Sequence, residues 1–334
     1  MKAMVLSNTG PIDQRPLDWR DVDEPTANAG QVVIKVTACG VCRSNLHMVE
    51  GEWLPGTPAS MPIIPGHEVV GTVTALGQDV THLTAGERVG VQPIWSTCGR
   101  CEFCLSGSEQ LCRGRQVTGE TRDGGYAELM LAEAAYTYPI PENVSDAEAA
   151  PLLCPGITAY SAVKKAALSP GQRVAVLGVG GVGHMVIQVA RLTGADVYAV
   201  TRSAIHQALA EEVGALRSYS PKGSGTQHIP EATLDAAIVF APSPSAVEEA
   251  MRITKPGARI VLGVAETVGL MDIGDEKTVV GSVLGNRWEM LEVLRLAEAG
   301  KLQSMYAEYP LHEANKVLAR LKAGEIRARA VLVP

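Results

Sequence analysis

Residues 173–183 read RVAVLGVGGVG, and this stretch decides the fold of the second half of the chain. The short apolar run 174–177 predicts a β-strand, and the apolar segment 182–193 predicts a helix. The glycines between them permit a tight turn and a close approach of a ligand to the backbone. In this strand–turn–helix context the pattern predicts a dinucleotide site with the pyrophosphate at the helix N-terminus. The residues assigned to it are Gly178, Gly180, Gly181, Val182 and Gly183; a glycine-rich turn without a ligand is the alternative.

The next predicted strand, 196–200, is followed by Thr201, Arg202 and Ser203. NAD-binding proteins usually place Asp or Glu here to accept from the ribose 2′-hydroxyl. Arg202 can instead bind a 2′-phosphate through two N–H groups, and the two neighbouring hydroxyls can donate to the same phosphate. The pattern therefore favours NADP(H) over NAD(H). If Arg202 stacks on adenine or faces solvent, and Ser203 only caps the next helix, either cofactor is usable.

Strands and helices alternate on both sides of this loop. Helical patterns cover 157–168 and 205–213, and short apolar strands cover 236–240 and 259–264. This alternation predicts an α/β fold with a doubly wound parallel sheet, a Rossmann domain over residues 154–287.

The first 150 residues show a different sequence pattern, in which short segments typical of β-strands are separated by clusters of turn-forming residues. The predicted strands are 32–36, 68–76, 88–92 and 126–131. Beyond residue 287 come helical patterns at 288–299 and 313–323 and a last strand at 328–333. We therefore predict a β-rich domain over 1–153 that residues 288–334 rejoin.

Four of the seven cysteines lie within fifteen residues, in the segment CGRCEFCLSGSEQLC. Four thiolates at this spacing satisfy a tetrahedral Zn²⁺ and leave no open position, which predicts a structural metal site. A redox CxxC pair and an iron–sulfur cluster are the alternatives. The predicted ligands are Cys98, Cys101, Cys104 and Cys112.

The other three cysteines, Cys39, Cys42 and Cys154, accompany two histidines in polar motifs, His47 and His67. Two cysteines and one histidine would leave a fourth position on Zn²⁺ for water or substrate, as catalytic zinc sites do. Each residue taken singly is more often a packing residue, so the prediction rests on their combination.

Composition limits the classes of partner. The 334 residues include 29 Lys and Arg against 36 Asp and Glu, a net charge of −7, and 46% are hydrophobic. No overall positive field is available for a nucleic acid or an anionic membrane. The N-terminus does not resemble a signal peptide, and seven cysteines suit a reducing compartment, so we expect a folded cytoplasmic protein with small-molecule partners.

The sequence resembles the zinc-dependent medium-chain alcohol dehydrogenases over almost its whole length. The resemblance is carried by GVCRSNLH at 40–47, GHE at 66–68, the four-cysteine segment at 98–112, the LLCPGITAY segment around Cys154 and the glycine loop at 178–183. It implies a GroES-like catalytic domain beside the Rossmann domain, with two zinc ions per chain.

The resemblance also implies a ligand set for the open site. Cys42, His67 and Cys154 would bind the catalytic zinc, with Glu68 as an occasional ligand, and Cys39 matches no ligand. Where relatives carry Asp this chain has Asn45, so the group expected to orient the His67 ring is neutral here.

Further roles follow from the same resemblance. Ser44 would hydrogen-bond the reacting oxygen, and His47 would lie at the solvent end of a proton relay. These residue types suit the task, because a hydroxyl both donates and accepts and histidine titrates near neutrality. Thr158 would pack near the nicotinamide, and Arg43 and Arg287 are candidates to meet the pyrophosphate.

These observations predict an alcohol dehydrogenase or aldehyde reductase that acts on primary or simple secondary alcohols with NADP(H). A polyol dehydrogenase of the same fold and an NADPH-binding relative without turnover are the alternatives. Loop residues beside the ligand segments are candidates to line the substrate pocket, with ordinary packing as the alternative: Trp53, Leu54, Ile94 and Trp95. The resemblance implies that the strand at 278–284 pairs with its copy in a homodimer or homotetramer, which would cover an otherwise open apolar edge.

Overall fold

The fold was obtained as a computed structural model, which describes residues 1–52, 60–221 and 227–334. The chain forms two compact units: the first comprises Met1–Cys154, Asn286–Ala299 and Ser304–Pro334, and the second comprises Pro155–Gly285 and Gly300–Gln303. The first junction lies one residue after the boundary expected from the sequence, and the second lies two residues before it. None of the helices in the described ranges combines the length and the apolarity needed to cross a bilayer.

The N-terminal part of the first unit is built mainly of strands. They are β1 (Lys2–Leu6), β2 (Leu17–Asp21), β3 (Gln31–Gly40), β4 (Val69–Leu76), β5 (Arg88–Val91), β6 (Ile94–Ser96), β7 (Gln116–Val117), β8 (Leu129–Glu133) and β9 (Thr137–Pro139). The helices are α1 (Arg43–Glu50), α2 (Glu102–Leu105) and α3 (Asp146–Ala149), with short 3-10 segments at Ile12–Gln14, Glu109–Leu111, Ala134–Tyr136 and Ala150–Leu153.

The second unit alternates helices with parallel strands. Its strands are β10 (Arg173–Leu177), β11 (Asp196–Val200), β12 (Arg217–Tyr219), β13 (Leu234–Val239), β14 (Thr254–Leu262) and β15 (Thr278–Gly281). Its helices are α4 (Pro155–Ala166), α5 (Gly183–Leu192), α6 (Ala204–Glu212) and α7 (Pro244–Ile253), with a 3-10 segment at Ile273–Asp275. The strands pair in the order β12-β11-β10-β13-β14-β15, which is the Rossmann order.

The apolar character of the inner strands explains this sheet. Residues Ala236, Ala237, Ile238 and Val239 of β13 are all buried, as expected for a strand covered on both faces by helices. The doubly wound parallel sheet expected from the sequence is confirmed.

The C-terminal segment returns to the first unit. It contains α8 (Arg287–Glu298), β16 (Tyr306–Pro310), a 3-10 segment at Leu311–Glu313, α9 (Ala314–Lys322) and β17 (Arg329–Val333). The sheet of the first unit has the order β16-β17-β3-β4-β5-β9, and β8 also pairs with β3. Because Leu332 of β17 is paired with Cys39 of β3, the last strand lies beside the segment that leads to Cys42.

Candidate active site

Cys42 lies between the end of strand β3 and the start of helix α1. Its backbone N–H donates to Oδ1 of Asn45 at 3.2 Å, and the N–H of Asn45 donates to the Cys42 carbonyl at 3.1 Å. This reciprocal cap fixes the first turn of α1, which carries Ser44, and His47 lies in the last turn of the same helix.

Gly66, His67 and Glu68 lead into strand β4, which pairs with β3. The N–H of Gly40 donates to the Glu68 carbonyl at 2.9 Å, so His67 lies beside the Cys42 segment. Gly66 has a φ of 99°, and a Cβ at this position would lie 2.5 Å from the Tyr126 ring. Both the backbone conformation and the contact therefore require glycine before His67.

Cys154 follows the 3-10 segment Ala150–Leu153 and completes a cluster with the two motifs above. The sulfurs of Cys42 and Cys154 are 3.9 Å apart, and the ligand atoms of Cys42, His67, Glu68 and Cys154 all lie within 4.8 Å of one another. Two thiolates on one tetrahedral Zn²⁺ are separated by about 3.8 Å. The donor set and its spacing therefore fit zinc.

The two thiols of this cluster lie within hydrogen-bonding distance of each other. A hydrogen bond from Cys154 lowers the pKa of Cys42, and the same hydrogen bond raises the pKa of Cys154. Burial acts to lower the pKa of the His67 ring, but the adjacent Cys42 thiolate outweighs it and the pKa is raised. Zinc must therefore displace protons when it binds here.

Glu68 is fully buried and is paired with Arg329 of β17. Nη2 of Arg329 donates to both carboxylate oxygens, and the two residues are 261 positions apart in the chain. Burial raises the pKa of Glu68 to about 7, although the guanidinium acts in the opposite direction. Sequence reasoning missed Arg329, whose one signal was a cation within the apolar strand RAVLV.

Asn45 links three groups of the site from a buried position. Its Oδ1 accepts from the Cys42 N–H and from the Tyr126 hydroxyl, the latter at 3.3 Å, and its Nδ2 lies 3.5 Å from Nδ1 of His67. The carbonyl oxygen is thus occupied by two donors, which turns the amide nitrogen toward the histidine. An aspartate here would present an acceptor to all three groups.

Ser44 and His47, the residues predicted to form a relay, both lie on α1. Ser44 Oγ lies 3.4 Å from Nε2 of His67, beside the cluster. His47 is partly exposed, and its Nδ1 lies 2.8 Å from Oε2 of Glu52. The carboxylate favours the tautomer that carries a proton on Nδ1 and leaves Nε2 as an acceptor.

The four remaining predicted ligands form a second cluster. Their sulfurs are separated by 3.5 Å for Cys101 and Cys104, 3.6 Å for Cys98 and Cys112, and 3.9 Å for Cys98 and Cys104. Backbone N–H groups of Arg100 and Cys101 lower the pKa of Cys98 to about 6, which favours its thiolate. These distances also fit a tetrahedral zinc.

Arg287 has a different environment from the pyrophosphate contact expected from the sequence. Its guanidinium pairs with the buried carboxylate of Glu109, at 3.0 to 3.1 Å, and lies 4.5 Å from the centre of the Tyr136 ring. Its neighbour Asn286 donates to the carbonyl of Gly107 at 2.6 Å. This side chain thus connects α8 to the four-cysteine segment, and its assignment to the pyrophosphate stays a prediction.

The glycine loop joins β10 to α5 in the second unit, as the sequence indicated. A Cβ at Gly178, which has a φ of 93°, would lie 2.6 Å from the backbone of Ala241. A Cβ at Gly183 would overlap the Gly178 carbonyl, whereas a Cβ at Gly180 would meet no atom within 4 Å. Gly178 and Gly183 thus serve the turn, and the backbone at Gly180 is open to a ligand; Gly181 and Val182 complete the loop before α5.

Thr201, Arg202 and Ser203 follow β11 as expected. Thr201 is nearly buried, whereas Arg202 is exposed and makes no hydrogen bond or ion pair with any residue of the described ranges. Ser203 occupies the N-cap position of α6, but its hydroxyl makes no capping hydrogen bond. Each polar side chain thus retains hydrogen-bonding capacity.

The remaining candidates have mixed surroundings. Arg43 is exposed at the start of α1, and Thr158 is half-buried in α4. Ile94 is fully buried, while Trp95 lies 5.2 Å from the Arg122 guanidinium and lines a cleft of about 650 Å³ that does not include Cys42, His67 or Cys154. Trp53 and Leu54 lie outside the described residues.

Comparison with known proteins agrees with this geometry. The family model for the alcohol dehydrogenase GroES-like domain matches residues 28–142, and that for the zinc-binding dehydrogenase matches residues 181–299. An alcohol dehydrogenase of Geobacillus stearothermophilus is 38% identical, with 99% of each chain covered, and one of a Moraxella strain is also 38% identical over 99% of each chain. The crystal structure of the Aeropyrum pernix alcohol dehydrogenase superposes with a TM-score of 0.91, 32% identity and full coverage of both chains.

The similarity extends over the whole chain and includes both folds, the GroES-like and the Rossmann type. Together with two clusters of zinc-compatible ligands, it settles the family. The chain belongs to the zinc-dependent medium-chain alcohol dehydrogenases.

Proposed function

We propose that this alcohol dehydrogenase interconverts primary or simple secondary alcohols with their carbonyl compounds, uses NADP(H) in preference to NAD(H), and holds two zinc ions per chain. The observation that carries the proposal is the buried set of Cys42, His67 and Cys154 with the Ser44 hydroxyl beside it. Three ligands leave one position of the metal open for the substrate oxygen, and a hydroxyl beside that position can hydrogen-bond to this oxygen.

Each residue of the catalytic cluster has a proposed role. Cys42, His67 and Cys154 would hold the catalytic zinc, and Glu68, held by Arg329, would be an occasional ligand. The bound zinc would supply polarisation of the substrate oxygen, and the bound nicotinamide would supply the hydride chemistry.

The proton leaves or enters through this chain's own side chains. Ser44 donates to or accepts from the substrate oxygen, and His47 lies three residues further along the same face of α1. With Nδ1 of His47 directed to Glu52, its Nε2 is the nitrogen that accepts the proton. Glu52 therefore acts by orienting the ring of His47.

The four-cysteine segment would hold the second zinc in a structural role. All four positions of the metal would be filled by thiolates, which leaves none for substrate. Arg287 and Glu109 would fix this segment to α8. The location we propose is the cytoplasm, because six of the seven cysteines are needed as reduced ligands.

The cofactor preference rests on Arg202. An exposed guanidinium without an ion pair in the described residues is available for a 2′-phosphate, and the hydroxyls of Thr201 and Ser203 are close to it in sequence. No carboxylate occupies these three positions to repel the phosphate or to bind the NAD ribose. Gly178, Gly180, Gly181, Val182 and Gly183 would receive the pyrophosphate, with Arg43 as an additional contact and Thr158 near the nicotinamide.

We also propose a homodimer or homotetramer that pairs β15 with its copy. In the described part of the chain β15 is the last strand of its sheet, and Leu270 and Ile273 beside it are almost fully exposed. An open strand edge next to exposed apolar side chains is a site for self-association. Light scattering at micromolar concentration tests it, and a strictly monomeric species would contradict it.

The decisive experiment assays a panel of primary, secondary and polyhydroxylated alcohols, and the matching carbonyl compounds, with both cofactors. We expect oxidation of simple alcohols with NADP⁺ and reduction of their carbonyl compounds with NADPH. Ser44→Ala should lower kcat by about 10²- to 10⁴-fold, the usual contribution of a positioned proton-transfer group, whereas Ser44→Thr retains a hydroxyl and most of the activity. Absence of turnover with every alcohol and both cofactors would refute the proposal.

A further inference from the structure

Glu120 lies in a rigid turn that follows β7. The backbone N–H groups of Glu120, Thr121 and Arg122 all donate to the Val117 carbonyl, at 3.2, 3.0 and 3.2 Å. The Thr121 hydroxyl also accepts from the Val117 N–H at 2.7 Å. The turn therefore has little freedom to reorient Glu120.

This turn is packed directly against the residue that precedes His67. Gly119 has a φ of 73°, and a Cβ on it would lie 2.6 Å from the backbone nitrogen of Gly66. The carbonyl of Glu120 accepts from the N–H of Ser60 at 3.0 Å. The backbone of Glu120 is thus fixed relative to the metal cluster.

The Glu120 carboxylate is half-buried and lacks a hydrogen bond or ion pair to any residue within 1–52, 60–221 and 227–334. Burial raises its pKa. The close approach of Gly119 to Gly66 places the turn that carries Glu120 beside the residue that precedes His67. Arg115 is the nearby cation, but its Nη1 donates to the Cys112 carbonyl instead. A partly desolvated carboxylate that no described residue donates to is costly, and the proposed proton transfer does not use it.

The charges around the metal cluster leave the Glu120 carboxylate without a compensating positive charge among the described groups. Thiolates of Cys42 and Cys154 would neutralise a divalent zinc, and Arg329 neutralises Glu68. Glu120 is then the one uncompensated charge among these described groups, and it is negative. A ligand that supplies a hydrogen-bond donor there would gain a charge-assisted bond.

We propose that Glu120 is a specificity-determining residue that binds a hydrogen-bond donor, a hydroxyl or an ammonium group, on the part of the substrate remote from the reacting carbon. The inference rests on the proposed alcohol dehydrogenase function and narrows its substrate class. Terminal diols and amino alcohols are preferred to plain alcohols of the same length. Hydroxy acids are disfavoured, because their carboxylate meets a like charge.

The test compares plain primary alcohols of three to five carbons with the terminal diols and the terminal hydroxy acids of the same lengths, using the zinc-loaded enzyme. The quantity measured is the ratio of kcat/KM for the diol to kcat/KM for the plain alcohol. Glu120→Leu should lower this ratio about tenfold, the value of one hydrogen bond to a charged group. Glu120→Gln keeps an acceptor and should retain most of the ratio, while turnover of the hydroxy acids rises because the negative charge is gone.

Glu142→Gln is the matched control, since it removes one carboxylate from an exposed position of the same unit. It should leave the ratio and the hydroxy-acid turnover unchanged. The proposal is overturned if Glu120→Leu oxidises plain alcohols with an unaltered ratio. If that variant does not fold, unchanged hydroxy-acid turnover in Glu120→Gln overturns it equally. Failure of the wild-type enzyme to oxidise any plain alcohol would instead contradict the proposed function.

Discussion

Nη2 of Arg329 donates to both carboxylate oxygens of Glu68, at 2.5 and 2.6 Å, and both side chains are buried. A Cβ on Gly40 would overlap this carboxylate, so the backbone of β3 approaches the pair closely. The guanidinium of Arg329 therefore neutralises the buried negative charge of Glu68 at the metal cluster.

Removing the cation alone should be strongly destabilising. Arg329→Met leaves Glu68 buried without a partner, and we expect a loss of about 3–5 kcal/mol in the free energy of unfolding. The double variant Glu68→Gln with Arg329→Met has no buried charge and should recover much of that loss. Urea denaturation of both variants measures it; equal stability of the single and double variants would contradict the role of the pair.

Asn45→Asp should strengthen zinc binding. The carboxylate would accept from Nδ1–H of His67, whereas the amide now presents its nitrogen at 3.5 Å. Groups that orient a ligating histidine change metal affinity by about 10- to 100-fold. We expect slower transfer of zinc to a chromophoric chelator, with Asn45→Ser, which cannot span the same contacts, as the opposite control. An unchanged transfer rate in Asn45→Asp would show that the His67 ring is oriented by other groups.

Substitutions in the two zinc sites should have different effects on thermal stability and on turnover. Cys101→Ser is expected to lower Tm more than the turnover of the folded fraction, because its cluster offers no open position. Cys42→Ser should abolish turnover with a smaller effect on Tm. Elemental analysis should give two zinc ions in the parent enzyme and one in each variant; iron in place of zinc would refute the assignment of the four-cysteine segment.

Cofactor choice should follow Arg202. Arg202→Ala is expected to raise KM for NADPH about 10- to 100-fold, the value of a charge-assisted contact, and to leave KM for NADH nearly unchanged. Thr201→Asp adds a like charge beside the phosphate and an acceptor for the ribose of NADH, so the double variant should prefer NADH. Equal kcat/KM of the parent enzyme with both cofactors would contradict the preference.

Short-range motifs were predictable from the sequence, because each is fixed by neighbouring residues. The strand, turn and helix around Gly178 follow from apolar periodicity and glycine placement, and the four-cysteine segment carries its own spacing. The first strand, Lys2–Leu6, was not predicted. It pairs with Leu17–Asp21, and without knowledge of this pairing its short sequence does not indicate a strand.

Long-range pairs could not be predicted in the same way. The pairing of Arg287 with Glu109, which lies 178 residues earlier, was not predicted, because no local pattern links the two residues. Arg329 and Glu68 are separated by 261 residues, and the role of each charge is evident only from the buried ion pair that the two form. Such contacts depend on tertiary packing, on which local patterns give no information.

The glycines around His67 limit how this enzyme can change over evolution. Any replacement at Gly66, Gly119 or Gly124 adds at least a Cβ, and each such atom would come within 3 Å of backbone or of the Tyr126 ring. Substitutions at these three positions are therefore expected to be selected against. Libraries of randomised variants gain little by including them. Adaptation to a new alcohol has to come from side chains on this fixed frame, and Glu120 is the first position at which to vary them.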